Sequence, residues 1–200
     1  MRWIVVDGID GSGKSTCGRW ISEHYQRMGG KVLLRMHPSA RWTGRMTRAA
    51  LEGRGKMMHL LATLFFILDV LNSLRTLKRD AKRYDTIIYV RYIMGAAYLP
   101  SRLTKPGYEV ISKVLPMPRR LLLVDIEPRV ALRRISERME RTEMFEDAEN
   151  LSKTRDKMLR LASGWAVLNN SLEAGRSKQD LMDILERWDV NYTVSGDARV

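Results

Sequence analysis

Gly8-Ile9-Asp10-Gly11-Ser12-Gly13-Lys14-Ser15 fits the pattern G-x-x-x-x-G-K-[ST]. It lies between an apolar run, Trp3 to Val6 closed by Asp7, and a segment from Lys14 to Met28 whose Cys17, Trp20, Ile21, Tyr25 and Met28 recur at helical spacing. A loop of this composition has one structural use, the turn from a strand into a helix. Glycines let backbone N–H groups face inward around phosphates, and the helix N-terminus adds partial positive charge. Lys14 then reaches the β and γ oxygens of a nucleoside triphosphate and Ser15 ligates Mg²⁺. Gly8 to Thr16 is therefore the expected ATP-binding segment, with Ser15 on the metal. The plainer alternative is a Gly-rich turn that happens to contain Lys-Ser, and the strand and helix flanking it in register speak against that.

The remaining chain repeats the alternation. Gly29 and Gly30 stop the first helix, and the unalternating apolar runs 32–34, 86–90, 121–124 and 165–168 read as strands of a parallel sheet covered on both faces. Helices are predicted over 56–81, from Pro128 to about 141, over 151–162, and to about 188 behind a capping box at Ser177-x-x-Asp180. The 56–81 helix is apolar on nearly every face between Leu60 and Leu71, which predicts burial. Residues 39–47 read as a polar connection, and Pro100, Pro106, Pro116 and Pro118 divide an irregular region with some helix. The expected fold is an α/β P-loop domain, a five-stranded parallel sheet flanked by helices. It spans residues 1–188 as one domain with a mobile lid around 134–150, and residues 189–200 form a tail or an extra strand.

Composition narrows the partners. Two hundred residues, 44% hydrophobic, suit one core. The balance of 35 Lys+Arg against 23 Asp+Glu, a formal charge of +12, favours polyanions, ATP or nucleic acid. Nucleic acid is the less favoured, because the chain lacks the aromatic-basic interleaving of a stacking platform. Cys17 is the single cysteine, and Cys17, His24, His37 and His59 never assume zinc-ligand spacing. The longest apolar run is broken by Asp69 and falls short of the ~20 residues of a membrane span, and the N-terminus is unlike a signal peptide; the expected location is cytoplasmic.

Several segments together resemble the thymidylate kinase family: Gly-Ile-Asp-Gly-Ser-Gly-Lys-Ser-Thr at 8–16, Leu-Val-Asp-Ile-Glu-Pro-Arg-Val-Ala-Leu at 123–132, Arg91-Tyr92 with Ala97-Tyr98 beyond it, and Arg134, Arg138 and Arg141 followed by Phe145-Glu146. The resemblance covers roughly residues 2 to 188. It implies an ATP- and Mg²⁺-dependent transfer of a phosphoryl group to thymidylate or a similar nucleoside monophosphate. Lys14, Asp10, Arg91 and the lid arginines Arg134, Arg138 and Arg141 are the implied catalytic set. Asp10 would orient the acceptor or hold the metal through water, unless it is only a turn-forming residue. Arg91 stands where open α/β sheets bind ligands and could clamp the acceptor phosphate, with Tyr92 and Tyr98 beside it, unless it is a sheet-end arginine paired with a neighbouring carboxylate; Phe66 would stack on the acceptor base or is plain core. Spaced at i, i+4 and i+7, the three lid arginines share one helix face, which serves the moving phosphoryl group or is simply solvated. Family members often dimerise through helices, so a homodimer is open as well.

The departures gather on the acceptor side. Met36-His37-Pro38 stands where the family has Arg-Glu-Pro, with Arg35 one position early as a candidate substitute, and Val90 replaces the Asp of Asp-Arg-Tyr. Val70, Gly95, Ala96 and Leu99 fall on positions that usually carry polar groups. Weak discrimination among bases is the expected result. Two other readings stay open: a P-loop kinase with a different small acceptor, and a non-catalytic ATP-binding or nucleic-acid-associated module.

Overall fold

The strands form from apolar segments too short and too evenly hydrophobic to leave either face in water. In the computed structural model, which describes residues 1–51, 56–137, 148–171 and 173–195, they are β1 (Arg2–Asp7), β2 (Val32–Met36), β3 (Thr86–Val90), β4 (Arg120–Asp125) and β5 (Ala166–Asn169). They make one parallel sheet in the order β2-β3-β1-β4-β5. Val6 lies between Val90 and Leu122, so the C-terminal ends of β1, β3 and β4 come level at one edge. The fold is thus the α/β sheet expected from the sequence.

Alternate residues of each strand feed two cores. Trp3, Val5, Ile87, Tyr89 and Leu123 point to one side, where α3 (Lys56–Asp80), the 3-10 turn Met94–Tyr98, α4 (Ser101–Val114), α5 (Pro128–Ser136) and α6 (Ala148–Leu161) cover them. Ile4, Val6, Ile88, Leu122 and Val124 point to the other, under α1 (Lys14–Arg27) and α7 (Ala174–Ser195).

Four details differ from the sequence expectation. The supposed connection at 39–47 contains the start of α2 (Trp42–Leu51). Its inward face is built from Gly44, Thr47 and Ala50, small residues that give no apolar period to read. Pro106 sits inside α4 without ending it, because Tyr108 and Ile111 on that helix pack against the core. The last helix begins a turn before Ser177, whose hydroxyl reaches the Asn169 carbonyl at 3.4 Å instead of capping. It also runs on to Ser195, so residues 189–195 are neither tail nor strand. Asp189 is held there by Arg2 Nε at 3.0 Å and Arg120 Nη2 at 3.5 Å, and it accepts the Tyr25 hydroxyl at 3.3 Å.

Finally, α3 is not buried all round. Leu64, Ile67 and Leu68 are 49%, 47% and 39% exposed along one face. Among the described residues no helix is long and apolar enough to cross a membrane.

Candidate active site

The C-terminal edge of an open α/β sheet is where ligands bind, because loops diverge there and helix N-termini point inward. In this chain β1 runs directly into the glycine loop. Gly11 and Gly13 have φ values of 73° and 83°, a left-handed backbone that suits glycine. Space forbids a side chain as well: a Cβ on Gly11 would stand 2.6 Å from the Ala131 carbonyl oxygen, and one on Gly13 would stand 2.4 Å from Asn170 Nδ2. The loop is thereby pressed against α5 and the end of β5. Gly13 caps α1 without any side-chain hydrogen bond, and no acidic residue lies in the first turn. That leaves the helix N-terminus suited to an anion.

Four of the residues singled out from sequence meet at one carboxylate. Lys14 Nζ donates to the Ile9 carbonyl at 2.9 Å and to Asp10 Oδ1 at 3.3 Å. Arg91 Nη2 ion-pairs with the same oxygen, and the Tyr98 hydroxyl donates to Asp10 Oδ2 at 2.9 Å. Burial works to raise the Asp10 carboxyl, but Arg91, Lys14 and Tyr98 outweigh it and hold it well below the usual carboxylate range. Burial, followed by the Arg91 charge, pushes the Lys14 ammonium down to about 8, although Asp10 pulls the other way. Burial and then the Asp10 charge keep the Tyr98 phenol far above its ordinary value, so it remains a donor.

Arg91 gets there by an unusual backbone. It is the one described non-glycine residue with positive φ, 62°, and its amide donates to the Val6 carbonyl at 3.0 Å. The turn beyond it is held by Asp7, whose Oδ2 accepts the amides of Tyr92, Ile93 and Met94 at 3.0, 3.2 and 3.2 Å. Burial pushes the Asp7 carboxyl up, and those amides oppose it.

Arg134 lies on the other flank of the loop. Its Nη2 donates to the Asn170 carbonyl at 3.0 Å, and Asn170 Nδ2 in turn donates to the Ser12 carbonyl at 2.7 Å. Arg138 and Arg141, with Phe145 and Glu146, lie outside the described residues.

The acceptor candidates are only partly brought together. Phe66 is half-buried and edges toward Gly95, 3.6 Å from where a Cβ there would sit, and toward the His37 ring. Arg35 is not at the site: it ion-pairs with Asp80 at the end of α3, ten residues or about 15 Å along the helix from Val70. Arg35 shares a face of the sheet with Tyr89 but lies one residue short of the end of β2, and its side chain goes to Asp80 at the far end of α3. Tyr92 is a core residue packed edge-on to Trp3 and Tyr89, with its hydroxyl on the Pro116 carbonyl at 2.8 Å. Only its backbone serves the turn. Val70 is buried in the same cluster.

Sequence reasoning missed a polar constellation that reaches the Arg91 carbonyl through His37 Nδ1 at 3.0 Å. Asp69 Oδ2 and Oδ1 accept the Ser39 amide and hydroxyl at 2.7 and 2.6 Å, and Oδ1 also accepts the Thr43 hydroxyl at 2.7 Å. This fixes the β2–α2 loop to α3. Arg41 Nη1 donates to Ser73 Oγ at 3.0 Å, and Ser73 Oγ is 2.9 Å from His37 Nε2. Of these residues Asp69, a lone carboxylate inside the apolar run of α3, and His37, where the family motif has Glu, carried a signal that sequence could have used. Asp7 and Asn170, polar residues at strand ends, also carried one.

The family model described as Thymidylate kinase matches residues 6–181. A probable thymidylate kinase of Pyrobaculum calidifontis is 31% identical over 194 residues, 92% of this chain and 96% of that protein. A putative thymidylate kinase of Aeropyrum pernix is 31% identical over 173 residues, 84% of this chain and 83% of its own length. A thymidylate kinase of Leptospira interrogans is 30% identical over 164 residues, covering 76% and 78% respectively.

Proposed function

The chain belongs to the thymidylate kinase family, and on that premise we propose that it transfers the γ-phosphoryl group of ATP to thymidylate, as a nucleoside monophosphate kinase. The observation that carries this reading is the convergence of Lys14, Arg91 and Tyr98 on Asp10. Two cations from different elements are held around one buried anion at the mouth of a glycine loop. Donor and acceptor phosphates entering that space meet charge already in position, the form of catalysis that phosphoryl transfer requires.

In this reading the amides of residues 11 to 16 and Lys14 hold the β and γ phosphates of ATP, Arg91 takes the acceptor phosphate, and Arg134 approaches the phosphoryl group from the β5 side. Arg138 and Arg141 complete the lid. Asp10 keeps Lys14 and Arg91 apart from each other's repulsion until the phosphates arrive. Phe66 and Tyr98 border the acceptor.

Mg²⁺ fits the donor set. Among the described residues no group of three or more His, Cys, Asp or Glu side chains is arranged to hold a metal. An ion that takes most of its ligands from phosphates and water needs only the Ser15 hydroxyl at the start of α1. When bound, it neutralises charge developing on the phosphate oxygens.

We also propose that the exposed face Leu64, Ile67 and Leu68, spaced i, i+3 and i+4 on α3, pairs two copies of the chain. Sedimentation of the parent beside Ile67→Glu tests it: an unchanged mass in the variant removes this face from consideration.

The kinase reading is tested by ADP release with Mg-ATP and thymidylate, parent against Lys14→Ala. Parent turnover that falls at least about a hundredfold in the variant, at a temperature where melting shows the variant still folded, is the expected result. No release with thymidylate from a parent that turns over another acceptor would sink it.

A further inference from the structure

We infer that His37 is the positioning residue for Arg91: its imidazole fixes the carbonyl side of the left-handed turn from which the Arg91 guanidinium reaches Asp10. The inference rests on the kinase reading above.

The geometry is specific. His37 Nδ1 is 3.0 Å from the Arg91 carbonyl oxygen and 3.3 Å from that of Val90. Both partners are acceptors only, so Nδ1 carries the proton and donates. Nε2 is then the acceptor, and it faces Ser73 Oγ at 2.9 Å. Ser73 can donate there because its hydroxyl oxygen receives the Arg41 guanidinium at 3.0 Å. The chain Arg41 to Ser73 to His37 to the Arg91 carbonyl thus runs in one donor direction, and the partners assign a single tautomer. Burial lowers the basicity of the ring, in keeping with a neutral imidazole.

The turn at Arg91 needs holding. A residue with a Cβ is strained at φ 62° and persists there only when its surroundings over-determine it. Three points supply that: the Arg91 amide on Val6, the amides of residues 92 to 94 on Asp7, and the Arg91 carbonyl on His37. The first two come from β1, beside the phosphate loop. The third comes from the end of β2, where the His37 amide also donates to the Val90 carbonyl at 2.9 Å, and its ring is joined through Ser73 to Arg41 of the β2–α2 loop. His37 accordingly couples that loop to the cation on Asp10.

Two substitutions separate the ring's nitrogens. An asparagine amide nitrogen can stand where Nδ1 stands, and a glutamine amide reaches only toward Nε2. With thymidylate and Mg-ATP, His37→Gln is expected to lower kcat by about tenfold or more with little change in the KM for ATP, because an unsupported Arg91 is lost chiefly from the transition state. His37→Asn should recover turnover to within about threefold of the parent. In an Arg91→Ala background, adding His37→Gln should cost less than about twofold, since its effect passes through a side chain already removed. Circular dichroism melting of each variant shows that they fold. Equal activity in His37→Asn and His37→Gln, whether high or low, overturns the assignment, and so does a His37→Gln loss that persists undiminished without Arg91. A parent inactive toward thymidylate would remove the kinase reading as well, and that result is distinct from the other two.

Discussion

The Arg91 guanidinium ion-pairs with the Asp10 carboxylate, joining the end of β3 to the middle of the glycine loop. The pair is buried enough for its loss to be costly, since Asp10 would be left with Lys14 and Tyr98 alone. Arg91→Ala is expected to lower kcat by about a hundred- to a thousandfold, the scale of removing one preorganised donor from a developing charge. Steady-state rates with thymidylate at saturating Mg-ATP check this. A fall confined to the KM for ATP would assign Arg91 to the donor side.

Lys14 supplies a pH limb. Its folded-state value, lowered to about 8 by burial and then by Arg91, lies below the ordinary lysine value of 10.5. A depressed ammonium loses its proton early: below about 8 it is charged and can hold phosphate, and above that the charge drains away. The kcat/KM for ATP, which reports the free enzyme, should therefore decline above about pH 8, approaching tenfold per unit. Bound phosphates restore the charge, so kcat itself should decline only at higher pH. The sign for stability is the opposite. The unfolded chain keeps its proton up to about 10.5, so the cost of the buried ammonium is fully present below 8 and relieved as pH climbs from 8 to 10.5. A kcat/KM profile flat to pH 10 would contradict the burial of this charge.

On the proposed acceptor side, Val70 lies in the apolar cluster and Ala96 is buried, while Gly95 offers only backbone next to the Phe66 ring. None of the three can hydrogen-bond a base edge through a side chain. A pocket that selects by shape separates close analogues by ~1–3 kcal/mol. The kcat/KM for thymidylate should thus exceed that for deoxyuridylate or another pyrimidine monophosphate by much less than about 10⁴-fold. Competition among thymidylate, deoxyuridylate, uridylate and cytidylate at one ATP concentration measures it; a larger preference over every other base would require a polar reader elsewhere in the site.

At the opposite edge of the sheet, Asp189→Ala removes the carboxylate shared by Arg2, Arg120 and Tyr25. With Arg120 largely buried, the loss is expected to be about 2 kcal/mol, the range for hydrogen bonds to charged groups. Kinase turnover should stay at the parent level below the melting transition. Denaturant unfolding gives the number, and a variant as stable as the parent would mean that α7 is held by its apolar face alone.

The strands were legible because a parallel sheet leaves apolar runs no freedom to alternate, and the glycine loop because its neighbours announced it. Asp10, Lys14, Arg91 and Tyr98 could be singled out one by one, but nothing in the sequence says that they converge on one carboxylate. α2 escaped notice because its packing face is Gly44, Thr47 and Ala50. Arg35 misled for a related reason: proximity along the chain suggested a substitute arginine, whereas its place within β2 sends the side chain to Asp80. The His37, Ser73 and Arg41 chain joins three segments by single hydrogen bonds and leaves no periodic trace.

β1 is synthesised first yet occupies the centre of the sheet, with Arg2 opposite Thr86 and Ile4 opposite Arg120. A nascent chain therefore carries Trp3 to Val6 without a strand partner until β3 has been made. The glycine loop is closed in by later elements, for a Cβ on Gly8 would stand 2.5 Å from the Val124 carbonyl oxygen and one on Gly11 2.6 Å from that of Ala131. Nucleotide cannot assist early folding, because its cradle is assembled only after β4 and α5 have been made.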